Sequence, residues 1–152
     1  MNATAIMDPN PTVLRPNDMI RTAIDYIMEN RYRNLPVVDD EGRYLGSFGV
    51  HCLLKNVLPK AVTMKHGLDN VGFVQQTLAD LHHRLVEIED KPISMCMNTD
   101  AETVAPDTPL VESLLVLYHA RNSIPVVDPE SGKLLGVISY WDAGKKILAA
   151  VE

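Results

Sequence analysis

Two stretches of the chain carry apolar residues at the spacing of an amphipathic helix. In each stretch the apolar side chains recur three and four residues apart, which places them on one helical face. These positions are Met19, Ile20, Ala23, Ile24, Ile27 and Met28 in the first stretch and Leu110, Val111, Leu114, Leu115, Leu117 and Tyr118 in the second. We expect Asp18 to cap the first helix, and Thr108 to cap the second with Pro109 in its first turn.

Short apolar runs flank each predicted helix, and turn residues bound them. A β-branched run precedes the helix, and an apolar run, a turn rich in Asp, Glu and Gly, and a second apolar run follow it, which predicts a hairpin. The early strands are Thr12–Leu14 and Thr103–Ala105, the hairpins start with Leu35–Val38 and Ile124–Val127, and short closing helices cover roughly 52–57 and 142–150. Each unit therefore reads β-α-β-β-α.

The two units are copies of one internal repeat. The sequence LPVVD at 35–39 returns as IPVVD at 124–128, and GRYLGSFGV at 42–50 returns as GKLLGVISY at 132–140. This order of elements predicts an α+β fold. A repeat of about fifty residues buries too little apolar surface to be stable alone. We therefore expect the two repeats to face each other across a pseudo-twofold axis and to form one structural module.

A helical insert is predicted between the repeats. We assign 1–57 to the first repeat, 58–96 to the insert and 97–152 to the second repeat. One helix is expected over roughly 69–89, starting at Asp69. Its heptad-like seam consists of Val71, Val74, Leu78, Leu81, Leu85 and Ile88. This seam packs either on helices of the same chain or on a second copy, and the spacing favours neither interpretation decisively.

Composition and charge exclude several classes of function. The chain has 152 residues, 14 of them basic and 20 acidic, and its net charge of −6 is the opposite of that of a typical nucleic-acid-binding protein. No membrane-spanning run and no export signal are evident, so we expect a cytoplasmic protein. Cys52 and Cys96 are then expected to be reduced and packed. Neither the five histidines nor any nucleophile motif predicts a metal site or an enzyme.

The doubled pattern resembles a tandem pair of cystathionine-β-synthase (CBS) domains, also called a Bateman module. The resemblance rests on the two copies of (Leu/Ile)-Pro-Val-Val-Asp and on the Gly-x-x-x-Gly of each hairpin. It implies a non-catalytic module that binds an adenosyl ligand between the repeats, forms a homodimer and regulates a separate effector protein in trans. AMP is the first expected ligand, followed by ADP, ATP or S-adenosylmethionine. The alternative is a dimerisation or protein-interaction scaffold that binds no nucleotide.

The resemblance also implies the site residues. The family motif Gly-h-h-(Ser/Thr)-x-x-Asp, in which h is apolar, is complete from Gly136 to Asp142, whereas the first repeat has Gly49 and Cys52 at the hydroxyl and carboxylate positions. Asp142 is expected to accept hydrogen bonds from the ribose hydroxyls, or else only to serve as the N-cap of the last helix. Ser139 is expected to contact a ribose or phosphate oxygen. The residues expected around the adenine are Thr103, Val104, Asn122, Ser123, Ile124 and Pro125.

The phosphate side departs from the family pattern. Tyr140 and Trp141 occupy positions that are basic in many family members. This favours a monophosphate or an uncharged adenosyl group over a triphosphate. The candidate cations are Arg31, Arg33, Arg121, Lys145 and Lys146. Because the motif is complete in one repeat only, we expect one ligand per protomer.

Overall fold

The fold is α+β, as predicted, with two hairpin-and-helix units and, in the described part of the insert, one helix between them. The structure is a computed structural model that describes residues 1–59 and 75–151. Its elements are α1 (Ile20–Asn30), β1 (Asn34–Val38), β2 (Tyr44–Gly49), α2 (Val50–Val57), α3 (Leu78–Ile88), α4 (Leu110–Ala120), β3 (Ile124–Val127), β4 (Leu134–Ile138) and α5 (Tyr140–Ala149). Short 3₁₀ turns at Ala3–Ala5 and Ile93–Met95 lie ahead of the two units.

Each unit contains one antiparallel two-stranded sheet. β1 pairs with β2, and β3 pairs with β4. The register of both hairpins shifts at the equivalent place, within the Val-Val pair of LPVVD and of IPVVD. The predicted strands 12–14 and 103–105 are each reduced to a single parallel bridge, from Leu14 and from Val104. The chain turns at the proline two residues later, which ends the pairing.

The predicted caps of α1 and α4 are wrong. Asp18 lies outside the helix, where its carboxylate accepts from the Arg15 N–H at 2.9 Å, and α1 starts at Ile20 without a side-chain cap. Thr108 does not cap α4 either, because Pro109 precedes the first helical residue. The first helical N–H groups instead donate to backbone carbonyls of distant segments, from Ile20 to Lys91 and from Leu110 to Met1. Tertiary pairing thus replaces the local caps.

The helix of the insert starts later than predicted. Gln75–Thr77 are not helical, and α3 starts at Leu78. A capping box defines this start, since Thr77 accepts from the Asp80 N–H at 3.2 Å and the Asp80 carboxylate accepts from the Thr77 N–H at 3.0 Å. Positions 69–74 of the predicted helix lie outside the described residues. Leu85 and Ile88 pack against the core of the first unit, which supports packing within the same chain.

The two repeats exchange their leading segments. Ala3 and Ile6, which lie before the first strand of the first repeat, lie in the hydrophobic cluster of α4 and its hairpin. Ile93, which precedes the second repeat, lies fully buried in the cluster of α1 and its hairpin. Each core is therefore completed by the segment that leads into the first strand of the other repeat. The boundaries predicted at 57 and 97 divide the sequence, but each hydrophobic core contains residues from both sides of them.

Backbone pairing fixes this exchange. Asp8 and Val137 exchange two N–H to C=O hydrogen bonds of 2.8 and 3.0 Å, and Ser47 and Asn98 exchange two of 2.8 and 2.7 Å. The hairpin tips also meet, because the Tyr44 N–H donates to the Gly132 carbonyl and the Leu134 N–H donates to the Gly42 carbonyl. Each of these hydrogen-bonded pairs has a counterpart at the equivalent position of the other repeat, as a pseudo-twofold relation between the repeats requires.

The first glycine of each family motif lies where the hairpin of one repeat packs against the leading segment of the other. A Cβ built on Gly136 would lie 2.6 Å from the Asp8 carbonyl oxygen, and one built on Gly46 would lie 2.6 Å from the Asn98 carbonyl oxygen. Both obstacles are backbone atoms that belong to the ladder between the repeats. Only glycine allows the leading segment of one repeat to reach the hairpin of the other.

We expect Gly136→Ala to destabilise the protein by about 1–3 kcal/mol, because the paired Asp8 backbone must shift. Gly144→Ala is the matched control, since nothing lies within 4 Å of a Cβ at this position in α5. It should stabilise the protein by about 0.5–1 kcal/mol, the helix preference for Ala over Gly. Urea unfolding of both variants measures the difference. Equal effects of the two substitutions would contradict the role of Gly136.

Candidate functional site

A cavity of about 410 Å³ lies between the two repeats. We call it the Asp142 cavity. The first repeat contributes its leading segment, from Asp8 to Thr12, and the chain after α1, from Arg31 to Pro36. The second repeat contributes Arg121–Ser123, Val137 and the start of α5, from Ser139 to Asp142. The volume lies within the usual range of small-ligand sites.

Ser139 and Asp142 form a capping box at the start of α5. Ser139 is the N-cap, and its hydroxyl oxygen accepts from the Asp142 N–H at 3.0 Å. The Asp142 carboxylate accepts from the Ser139 hydroxyl at 2.7 Å and from the Ser139 N–H at 3.3 Å. The expectation that Asp142 is itself the N-cap is therefore wrong, because Asp142 lies in the first turn, three residues after the cap.

The capping box leaves one carboxylate oxygen of Asp142 for other contacts. Both hydrogen bonds from Ser139 fall on Oδ2. Within the described part of the chain, Oδ1 accepts no hydrogen bond from another side chain or from the backbone. A carboxylate held in this way presents an oriented acceptor at the cavity wall.

The structure brings together only part of the predicted site. Asn122 and Ser123 line the Asp142 cavity together with Ser139 and Asp142. Ile124 lines a second cavity instead. Three predicted residues line neither cavity: Thr103, Val104 and Pro125. The Val104 N–H donates to the Pro125 carbonyl at 3.0 Å, which places this pair inside the packing of the second repeat.

A large part of the lining of the Asp142 cavity belongs to the first repeat, and the sequence analysis expected no adenine contacts there. Asn10, Pro11 and Thr12 precede Leu14, and Leu35 and Pro36 lie in β1. These positions correspond in the repeat to the segment around Thr103 and Ile124, which had been expected around the adenine. The exchange of the leading segments explains the difference, because it brings the start of one repeat to the motif of the other. The alignment of the two repeats identifies equivalent positions correctly. The sequence does not indicate, however, that the leading segment of one repeat packs on the other repeat.

Three of the five candidate cations line the Asp142 cavity. They are Arg31, Arg33 and Arg121, whereas Lys145 and Lys146 on α5 do not line it. Arg33 donates from Nη1 to the Arg121 carbonyl at 2.6 Å, which ties the ends of the two equivalent helices together. Tyr140 and Trp141 lie at the same cavity, and the Tyr140 hydroxyl donates to the Leu117 carbonyl at 3.0 Å.

The second cavity, of about 270 Å³, is the pseudo-twofold counterpart of the first. We call it the Cys52 cavity. Arg33, Asn34, Asn122 and Ser123 line both cavities and form the wall between them. Gly49, His51 and Cys52 of the Cys52 cavity take the places of Ser139, Trp141 and Asp142.

The Cys52 cavity also differs in the leading segment that lines it. Asp100 and Glu102 occupy the positions that Asn10 and Thr12 have in the Asp142 cavity. Two carboxylates line each cavity, Asp8 and Asp142 in one and Asp100 and Glu102 in the other, but one arginine remains in place of three. The Cys52 cavity is therefore less favourable for an anion than the Asp142 cavity.

Gly49 cannot be exchanged for the hydroxyl residue of the family motif. A Cβ built on Gly49 would collide with the Arg33 carbonyl oxygen and would lie 2.7 Å from the Asn34 Cα. The backbone between α1 and β1 therefore fills the space that the Ser139 side chain has in the other repeat. The first copy of the motif therefore differs from the second in its backbone surroundings as well as in two side chains, because the neighbouring backbone leaves no space for a side chain at Gly49.

The two thiols are packed rather than exposed. Cys52 is 4% exposed and belongs to the core of the first unit, and Cys96 packs against the same core. Burial raises the pKa of the Cys96 thiol to about 11. At neutral pH this thiol is protonated and a poor nucleophile. Burial also raises the pKa of the Tyr44 hydroxyl to about 12.

Among the described residues, no three His, Cys, Asp or Glu side chains converge to hold a metal ion. The same residues contain no helix that is both long and apolar enough to span a bilayer.

Comparisons with known proteins agree with this architecture. The family model of the CBS domain matches twice, over residues 3–58 and 88–148. The first match includes the leading segment from Ala3 onward, and the second starts at the end of α3. Both matches thus contain the leading segments that the repeats exchange.

Solved structures of CBS-pair proteins share the fold over nearly the whole chain. The CBS-pair protein CBSX2 from Arabidopsis thaliana is 20% identical with a TM-score of 0.72, over 97% of this chain and 94% of that one. CBSX2 in complex with AMP is 21% identical with a TM-score of 0.68, over 97% and 96%. CbpB in complex with c-di-AMP is 14% identical with a TM-score of 0.68, over 98% and 85%.

A curated relative places the same kind of segment within a longer enzyme. The chain is 28% identical over 148 residues to an A-adding tRNA nucleotidyltransferase from Aquifex aeolicus (strain VF5). The match covers 97% of this chain but only 14% of that protein. The likeness therefore concerns one segment of the enzyme and says nothing of its activity in this chain.

Proposed function

The chain belongs to the CBS-domain family as a tandem CBS pair, and we propose that it is a regulatory module that binds an adenine nucleotide in the Asp142 cavity. The observation that carries the proposal is the oriented Asp142 carboxylate at a cavity shared by both repeats. The AMP and c-di-AMP complexes of structural neighbours support an adenosyl ligand. We propose binding without catalysis, with AMP as the first candidate ligand.

Asp142 is proposed to recognise the ribose. Oδ2 is held by Ser139, so Oδ1 can accept from a ribose hydroxyl without losing the cap. Hydrogen bonds to a carboxylate are about twice as strong as neutral ones. Because the Ser139 hydroxyl is already committed to the capping box, its proposed role is to orient Asp142 rather than to contact the ligand.

The adenine is proposed to lie against the first repeat. Pro11, Leu35 and Pro36 of the first repeat provide apolar surface in the cavity, and Val137 of the second repeat adds to it. Flat apolar walls with a few oriented polar groups are typical of sites for nucleobases and similar ligands. This assignment replaces the adenine contacts expected at Thr103, Val104 and Pro125.

Asp142→Ala should lower the affinity for AMP by about 30- to 1,000-fold, the cost of losing charge-assisted hydrogen bonds to the ribose. The substitution also removes one half of a capping box. Asp80→Ala is the matched control, because it breaks the same kind of box with Thr77 in α3, away from both cavities. Both variants should lose some stability, because each loses one half of a capping box, but only the first should lose affinity. Calorimetric titration and thermal unfolding measure the two effects.

Two results would contradict a role of Asp142 in ligand binding. If Asp142→Ala binds AMP as tightly as the unchanged protein, or if Asp80→Ala loses the same affinity, the carboxylate has only a structural role in the helix.

We further propose that each chain binds one nucleotide. In the Cys52 cavity a buried thiol takes the place of the carboxylate that would accept hydrogen bonds from the ribose. The carboxylates of Asp100 and Glu102 would repel a phosphate there. Titration calorimetry should therefore give one site per chain. Glu102→Thr and Asp100→Asn, which copy the other cavity, should not create a second site, because the Gly49 backbone still closes the space beside Cys52. Two sites of equal affinity in the unchanged protein would contradict this asymmetry.

Dimerisation and action on a partner in trans are proposed from the exposed helix faces. Val111, Leu115 and Tyr118 on α4 are 76, 52 and 69% exposed, and Ile147 and Leu148 on α5 are 60 and 89% exposed. Such apolar faces favour association with a second copy. They also favour the second candidate function, a protein-interaction scaffold without a nucleotide, which the AMP titration distinguishes from the first.

A further inference from the structure

One helical face of the first repeat is covered by α3. Arg84 of α3 donates from Nη1 to the Val57 carbonyl at the end of α2, at 3.2 Å. Glu89, the C-cap of α3, forms an ion pair of 3.0 Å with Arg21 on α1. We call Arg21 and Val57 the covered face. An amphipathic helix of the same chain thus contacts both helices of the first repeat.

The second repeat has the equivalent face without such a cover. Val111 and Ile147 take the places of Arg21 and Val57 in the repeat, and we call them the open face. They are 76 and 60% exposed, whereas Val57 is 6% exposed. The Leu110 N–H donates to the Met1 carbonyl, just as the start of α1 donates to the segment after α3. The described part of the chain therefore supplies the backbone contact in both repeats but the covering helix in only one.

Charge distinguishes what fits the open face. The charged side chains of α3 and its C-cap, histidines aside, are Asp80, Arg84, Glu87 and Glu89. The covering helix of the first repeat is thus acidic. Beside Ile147, α5 carries Lys145 and Lys146, which are exposed and have no ion-pair partner among the described residues. Glu112 lies in the first turn of α4, where the helix dipole offsets its charge.

We infer that the open face binds an acidic amphipathic helix of the effector protein, placed as α3 is placed on the first repeat. The inference rests on the proposed action in trans and names the chemistry of the partner. Apolar residues of such a helix would cover Val111 and Ile147, and its acidic flank would meet Lys145 and Lys146.

A second copy fits the open face less well than an acidic helix. A twofold contact brings the same patch of both copies together. Lys145 and Lys146 of one copy would then approach the same lysines of the other, which is repulsive. Leu115 and Tyr118 of α4 remain available for the proposed dimer.

A peptide with the sequence of α3 tests the inference on the full chain. Residues 76–90 contain both the apolar seam and the acidic residues, so a fluorescently labelled peptide of this sequence represents the partner helix. Fluorescence anisotropy should show saturable binding that weakens as salt is raised. Ile147→Glu should weaken it by about tenfold, because a carboxylate then replaces the apolar contact. Lys145→Glu combined with Lys146→Glu should weaken it as well.

Tyr118→Glu is the matched control for Ile147→Glu. It makes the same kind of change at an exposed residue of α4, about 12 Å along the helix from Leu110. Peptide binding should be unchanged in this variant. A second control is a peptide with Leu85→Glu and Ile88→Glu, which should not bind, because these residues form the packed side of α3.

Three results would overturn the inference. The first is a peptide that does not bind, and the second is binding that Tyr118→Glu weakens as much as Ile147→Glu does. The third is a dimer that Ile147→Glu converts to a monomer in light scattering, because a second copy then covers the open face. Titration with AMP separates these results from the proposed nucleotide site. Ile147 lines neither cavity, so Ile147→Glu should bind AMP like the unchanged protein.

Discussion

The architecture depends on the backbone pairing that carries the leading segment of each repeat to the hairpin of the other. Four hydrogen bonds, between Asp8 and Val137 and between Ser47 and Asn98, make this exchange. They require Gly136 and Gly46, because any side chain there would meet a backbone carbonyl. The exchange completes both cores and also assembles the cavity from two repeats. Stability and site formation therefore have the same origin in this chain.

The start of α5 shows how one local motif serves both fold and site. The reciprocal bonds between Ser139 and Asp142 satisfy the first N–H groups of the helix and fix the carboxylate rotamer in the same step. The same box between Thr77 and Asp80 occurs in α3, where it caps a helix away from both cavities. The difference lies in the surroundings of the carboxylate rather than in the motif.

Much of the fold could be predicted from local sequence, and the errors at the starts of α1 and α4 come from pairing between distant segments. The hairpins and the helix faces followed from periodicity and turn residues, since these depend on neighbours in the chain. The starts of α1 and α4 and the first-repeat lining of the Asp142 cavity could not be predicted, because they depend on backbone groups of Met1, Lys91 and the leading segments. The motif identified Ser139 and Asp142, but pairing between the repeats decides which residues face them.

The central claim is that the nucleotide site contains both repeats. Amide chemical shifts of isotope-labelled protein during titration with AMP test it most directly. We predict that the largest changes occur at Asn10, Thr12 and Asn34 of the first repeat together with Ser139–Asp142 of the second, while Asp100 and Glu102 change little. Changes confined to the second repeat, at Thr103, Val104 and Ile124 beside Asp142, would contradict the account.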